Sequence, residues 1–419
     1  MNTQRAATLG VMMAVFLMAT LVSFGAGHNM AELRVAHLSP DAPAVDVWLN
    51  GEVVLSGVPF GAYSDYLEVP TGEHVVQVTP AGATEPVVIN ATLTLLEGTA
   101  YTVAATGLLG SSDLEAIVLI DDRSPSAEKA GVRFIHTSPD APAVDIAVAS
   151  CGGPILFEEA SFRESLDYIM VDGGTYDLEV RLAGTGTVAL LVEGVTLESG
   201  GNYTIFATGL AGDGTLGALA IEDASLPAKL RVAHLSPDAP AVDIWANGSI
   251  ILENVPFKGI SDYLEVPAGE YRVQVTPTGA TEPIVIDATV ELGINKAYTV
   301  AATGLLADDL APIVLMDDVM TLTDSGKVRF VHTSPDAPAV DVGVSGGPIL
   351  FRNASFREAS DYLAVEGGLY NLEVRLAGTM TVALPVPGVS LSNGTNYTIF
   401  ATGLAGDGSL MALPAIDAE

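Results

Sequence analysis

The densest chemistry in the chain is a decapeptide, His-x-Ser-Pro-Asp-Ala-Pro-Ala-Val-Asp, which starts at His37, His136, His234 and His332. Each copy gathers an imidazole, a hydroxyl and two carboxylates, and two kinds of chemistry use such a set. Histidine with carboxylates is a partial metal-ligand set. The candidate ligands are His37, Asp41 and Asp46, then His136, Asp140 and Asp145, then His234, Asp238 and Asp243, and finally His332, Asp336 and Asp341. If a cation binds, oxygen-rich ligands of this kind suit Ca2+ better than a soft metal. Serine beside His and Asp is also the material of a nucleophilic triad, through Ser39, Ser138, Ser236 and Ser334. A plainer reading competes with both. Ser and Asp next to Pro are turn residues whose side chains bind nearby backbone N–H groups. We therefore expect a structural loop, no catalytic residue and no cofactor, with Ca2+ as the alternative. No Gly-x-Ser-x-Gly, His-Glu-x-x-His or P-loop pattern occurs. Gly212-Asp213-Gly214-Thr215-Leu216-Gly217 matches the dinucleotide fingerprint only in spelling, because a β-like run and not a helix follows it.

An arginine precedes each His by three positions, at Arg34, Arg133, Arg231 and Arg329, which are 99, 98 and 98 residues apart. That period marks a tandem array. The repeats run over 32–123, 131–225, 229–319 and 326–419, behind an N-terminal segment of 1–27. Repeats of about 100 residues suit small independent domains. Repeats one and three share Val-Pro-Phe, Thr-Pro-x-Gly-Ala-Thr-Glu-Pro and a tryptophan, Trp48 or Trp245. Repeats two and four share Gly-Gly-Pro-Ile-Leu-Phe and Ser-Phe-Arg-Glu. The order is A1-B1-A2-B2, as though a two-domain unit had been duplicated.

Short apolar runs bounded by Gly, Pro or Asn predict an all-β fold of about eight strands per repeat. In repeat A1 they are expected over 33–38, 44–49, 52–55, 63–69, 74–79, 87–95, 101–106 and 114–120, with Asn50-Gly51 as a tight hairpin turn. Strand parity puts Val45, Val47 and Leu49 on a core face, opposite Asp46 and Trp48. If the first two strands pair across the Ser-Pro-Asp-Ala-Pro loop, Arg34 meets Asp46 on an exposed face, and Arg133, Arg231 and Arg329 meet Asp145, Asp243 and Asp341. Trp48 and Trp245 are candidates for a ligand or an interface, with domain packing favoured. Asp121-Asp122 and Asp317-Asp318 read as solvated turns.

The chain has 17 basic against 51 acidic residues, a net charge of -34. This argues against a nucleic-acid partner, which needs clustered Lys and Arg. Arg5, the apolar run from Ala6 to Phe24 and the small residues Gly25, Ala26 and Gly27 form a secretory signal pattern. An uncleaved anchor would be the one membrane contact. Cys151 is the single cysteine and has no counterpart in B2, so it reads as an incidental loop thiol. Six Asn-x-Ser/Thr sequons occur, at Asn90, Asn202, Asn247, Asn353, Asn393 and Asn396.

The pattern Arg-x-x-His-x-Ser-Pro-Asp-Ala-Pro-Ala-Val-Asp is followed in A1, A2 and B2 by Ser-Asp-Tyr, at 64–66, 261–263 and 360–362. Repeat B1 departs, with Leu166-Asp167-Tyr168. Every repeat then carries Tyr-Thr-[Val/Ile]-x-Ala-Thr-Gly-Leu. Together these resemble the DUF4397 family, domains of unknown function in exported bacterial and archaeal proteins. The resemblance implies export and β-sandwiches, and supplies no catalytic residues. The expectation is four immunoglobulin-like or transthyretin-like sandwiches in a secreted or cell-envelope protein, extracytoplasmic and non-enzymatic, of scaffold or adhesion type. Its partners would be cell-surface polymers, carbohydrate or other envelope proteins. A carbohydrate- or Ca2+-binding array is the alternative, and a hydrolase ranks last.

Overall fold

The computed structural model describes residues 29–111, 113–150 and 153–419. The N-terminal segment 1–27, expected to be a secretory signal, and Cys151 lie outside the described residues. Eight four-stranded sheets pair into four β-sandwiches. In A1 the strands are β1 (Met30–His37), β2 (Val45–Leu49), β3 (Glu52–Val58), β4 (Leu67–Pro70), β5 (Gly72–Pro80), β6 (Ile89–Leu95), β7 (Ala100–Thr106) and β8 (Glu115–Asp121). One sheet has the order β4-β1-β7-β8 and the other β3-β2-β5-β6, and the other three sandwiches repeat both orders. Among the described residues no helix is long and apolar enough to cross a membrane.

Local sequence accounts for much of this. Asn50 and Gly51 take φ of 53° and 85°, the left-handed pair that turns β2 tightly into β3. Val45, Val47 and Leu49 join Leu33 and Val35 in the core between the sheets, as parity requires. The central pair of the first sheet, β1 with β7, is parallel, whereas the other neighbours are antiparallel. Parallel neighbours cannot be joined by a hairpin, so β2 to β6 intervene.

The expected pairing of the first two strands does not occur. β1 pairs with β4 and β7, and β2 pairs with β3 and β5 in the opposite sheet. The Ser-Pro-Asp-Ala-Pro segment is an arch between sheets, because two prolines within four residues remove the N–H groups that a ladder would use.

The described residues fall into two compact units, divided between Leu226 and Pro227. Each unit is one A and one B sandwich. In the first unit, B1 contributes its first strand (Ala130–His136), seventh (Gly201–Thr208) and eighth (Gly217–Ser225). Their outer face packs on that of β1, β7 and β8 through Ala36, Leu38, Ala104, Leu119, Ile135, Phe206, Leu219 and Ile221. The second unit repeats the contact with Ala233, Leu235, Ala301, Leu315, Val331, Phe400 and Ala415. Strand β7 is therefore buried on both faces along its whole length.

Candidate functional site

The motif histidine ends the first strand of each sandwich and points beneath the arch. In A1 the Ser39 N–H donates to His37 Nδ1 at 3.4 Å, and Nε2 lies 3.0 Å from the Pro43 carbonyl. With Nδ1 accepting, Nε2 carries the proton and donates it to that carbonyl. Phe60 meets the ring edge to face, with centroids 6.4 Å apart. His136, His234 and His332 repeat both nitrogen contacts, with Pro142, Pro240 and Pro338. Burial holds all four imidazoles below their ordinary value of 6.5, against the raising effect of the proline carbonyls.

The sign of the resulting pH dependence follows. A histidine whose folded pKa is depressed binds fewer protons folded than unfolded below about pH 6.5. Its stabilising contribution is present above that pH and is lost as the pH falls towards the folded value. We expect the urea midpoint to be lower at pH 5.5 than at pH 7.5, and the difference to shrink as the four histidines are replaced by Gln. An equal midpoint at the two pH values would contradict the neutral-imidazole assignment.

The two motif carboxylates have separate tasks. Asp41 accepts from the N–H groups of Leu109 and Gly110, at 2.7 and 2.9 Å, and so ties the arch to the β7–β8 connection. Asp140 does the same with Ala211 and Gly212, Asp336 with Ala405 and Gly406, and Asp238 with Leu306. Asp46 accepts from Gly57 and Gly82, both at 2.7 Å. Asp145, Asp243 and Asp341 likewise hold one N–H from the third strand and one from the turn after the fifth. The third-strand donor sits at a bulge with positive φ, at Gly57, Glu159, Asn254 or Asn353. The backbone N–H of Asn254, with that of Gly279, holds Asp243 below the usual carboxylate range.

The serine hydroxyl of A1 donates to Asp41 at 3.3 Å and not to the imidazole, so His, Ser and Asp do not form a proton relay. Among the described residues no group of three His, Cys, Asp or Glu side chains is placed to hold a metal ion. An apolar cavity of about 210 Å³ lies beneath the A2 arch, walled by His234, Val242, Val275, Ile286 and Leu310 among others. The His234 nitrogens on that wall are already engaged.

The largest concentration of buried charge lies elsewhere, between the paired sandwiches, and it corrects the expected Arg34–Asp46 pairing. Arg34 projects from the outer face of β1 into B1. There it donates Nη2 to Asp223 Oδ1, Nη1 to the Glu222 carbonyl at 2.8 Å, and Nε to Thr102 of its own sheet at 3.0 Å. Arg133 mirrors it, with Nη2 to Asp121 Oδ1, Nη1 to the Ile120 carbonyl at 2.8 Å, and Nε to Thr204 at 2.7 Å. Asp121 also accepts from Tyr66 and Thr102, both at 2.6 Å, and Asp223 from Tyr168 and Thr204, both at 2.6 Å. Both carboxylates are fully buried, so Asp121 is no solvated turn. Burial pushes the Tyr66 and Tyr168 hydroxyls far up, which keeps them protonated donors.

The second unit reproduces the lattice. Arg231 binds Asp417 at 2.5 Å and the Ile416 carbonyl at 2.7 Å, and Arg329 binds Asp317 and the Met316 carbonyl. Arg231, Arg329, Asp317 and Asp417 are all buried, which corrects the pairings with Asp243 and Asp341 and the solvated reading of Asp317. Burial raises Asp417, against the opposing pull of Arg231.

Trp48 and Trp245 lie in the sheet turned away from the partner sandwich of their own unit, so they take no part in that A–B packing. Each is half-buried, and its indole N–H donates to Thr79 or Thr276, at 2.9 and 3.0 Å. Of the sequons, Asn202 and Asn396 are fully buried, whereas Asn90, Asn247, Asn353 and Asn393 are exposed.

No curated protein sequence matches the chain. Among solved structures it is similar to the TIE protein of Bacillus anthracis, at 12% identity over 87% of this chain and 67% of that one, with a TM-score of 0.17. It is also similar to the pilus adhesin SpaC of Lactobacillus rhamnosus GG, at 11% identity, covering 68% of this chain and 42% of that one, with a TM-score of 0.15. A third is BcpA, the major pilin subunit of Bacillus cereus, at 12% identity over 66% of this chain and 99% of that one, with a TM-score of 0.13. Scores this low carry no further argument. The family model is decisive: DUF4397, a domain of unknown function, matches residues 31–147, 151–229, 228–343 and 326–419, and the chain belongs to that family.

Proposed function

We propose that this chain is a non-enzymatic exported protein, of the cell envelope or the medium, whose sandwiches act as a scaffold or adhesion-type array. One observation carries the reading: the chemistry-bearing residues of the repeated motif are engaged in holding the fold together. His37 and Asp41 tie the arch, Asp46 ties a bulge of the third strand to the turn after the fifth, and Arg34 ties one sandwich to the next. A surface of strong negative charge suits a soluble extracytoplasmic protein. Its partners would be surface polymers or other envelope proteins.

Fractionating the native host between cytoplasm, envelope and medium, with N-terminal sequencing of the recovered chain, tests the proposal. The expected result is recovery outside the cytoplasm, with the chain beginning near residue 28 or held at the envelope through its leader. Recovery from the cytoplasm with residues 1–27 intact would overturn it.

A further inference from the structure

The arch over A2 is latched more loosely than the other three. Asp41, Asp140 and Asp336 each accept from two N–H groups of the loop between the seventh and eighth strands, whereas Asp238 accepts from one, that of Leu306. The loop is also shorter in A2 than in A1, with six residues between Gly304 and Ala311 against seven between Gly107 and Glu115. Beneath this arch lies the cavity of about 210 Å³. In B1, where the latch has both N–H groups, the matching space against His136, Val144, Val180 and Leu216 is about 50 Å³.

The A2 cavity has the build of a small-molecule site. Its floor is formed by the buried Val242, Val275, Ile286 and Ala302, and its rim by the exposed Pro240, Pro283 and Leu306. The His234 ring on the wall has both nitrogens engaged, with Ser236 and Pro240, so it offers ring carbon to the interior. Water held there would need two to four polar partners, and the wall supplies none. Natural cores leave few voids larger than a water molecule, because the cost of a void grows with its volume. An apolar cavity of about 150 Å³ stays dry and takes up benzene, so the space beneath the A2 arch suits a ring with one small substituent. Three proline rings line it, those of Pro240, Pro277 and Pro283. Proline and aromatic surfaces pack on one another wherever Pro-rich segments meet aromatic grooves.

We propose that the A2 cavity is a binding site for a small uncharged ligand carrying a single aromatic ring, which enters past Leu306. The ligand takes the place of the missing core atoms, and the loosely latched loop admits it. This site is independent of the scaffold or adhesion reading, since it uses the interior of one sandwich and not a surface.

Urea denaturation of the full chain with toluene as the probe tests this. Toluene is expected to raise the folding constant of the second unit about tenfold, as a ligand at ten times its dissociation constant does. Methylcyclohexane, similar in size but without aromatic faces, should give a smaller rise at the same fraction of its saturating concentration. Two substitutions close the site. Ala302→Ile adds three carbons from the floor, and Val285→Phe supplies a tethered ring from the half-buried wall. Each should abolish the toluene response, and Val285→Phe keeps the test open if the floor does not tolerate isoleucine. Ala207→Ile is the control, because Ala207 and Ala302 both stand beside their motif histidine in the parallel strand pair. In the smaller B1 space it should lower stability by overpacking and leave the toluene response intact. The proposal would be overturned by no response in the unaltered chain, by a response that survives Val285→Phe, or by one that Ala207→Ile removes. An equal response to methylcyclohexane would overturn the aromatic assignment.

Discussion

Replacing Arg133 with Met is expected to lower the stability of the first unit by about 3–5 kcal/mol, the range for removing one partner of a buried ion pair. The substitution keeps much of the apolar stem but leaves the Asp121 carboxylate buried between sandwiches. Its remaining partners would be the Tyr66 and Thr102 hydroxyls, with Arg34 at 3.6 Å. The carbonyl of Ile120 and the hydroxyl of Thr204 lose a donor in the same step. Adding Asp121→Asn removes the stranded charge while keeping an oxygen for Tyr66 and Thr102, and more than half of the loss should return. Urea melts of the single and double variants read this. If the double variant is less stable than Arg133→Met, net charge is not the source of the cost.

Phe206→Ala should cost a similar amount, about 3–5 kcal/mol for truncating a fully buried phenylalanine, but with a different signature. Phe206 is 0% exposed, yet it faces A1 and not the core of its own sandwich. Phe134, 1% exposed and packed on Phe157 with ring centres 6.0 Å apart, lies within B1. Loss of Phe206 uncouples two intact sandwiches, so A1 and B1 should melt in separate transitions. Loss of Phe134 should destabilise B1 first. Calorimetry of the two variants distinguishes them, and a single unsplit transition for Phe206→Ala would mean that the remaining apolar contacts and the Arg–Asp lattice still couple the pair.

Much of one sandwich was legible in the sequence, because a strand face is a local property. The valines at 45 and 47 and the Asn50-Gly51 turn identify core face and hairpin without reference to the rest of the chain. Partners are not local. Parity placed Arg34 on the face away from the core, but that face is covered by another sandwich, and the carboxylate that meets it is Asp223. Two signals pointed there. Ala100–Thr106 has no charged side chain on either face, the mark of a strand covered on both sides. The last strand of every repeat also carries an Asp, at Asp121, Asp223, Asp317 and Asp417, too regular for a solvated turn. The motif loop gave its residues correctly but not their tasks, since a carboxylate that caps backbone N–H groups and one that binds a cation have the same spelling.

The parallel pairing of β1 with β7 sets the order in which the chain can become native. Glu32 aligns with Ala100 and His37 with Ala105, so the strand made first in each sandwich waits for nearly the whole repeat before it gains its central neighbour. Contacts of such sequence separation fold slowly, because loop closure precedes their reward. The tie to the next sandwich comes later still, since the carboxylate that meets Arg34 is in the last strand of B1. During synthesis, each A repeat therefore lacks its tie to the next sandwich until a second repeat has followed it.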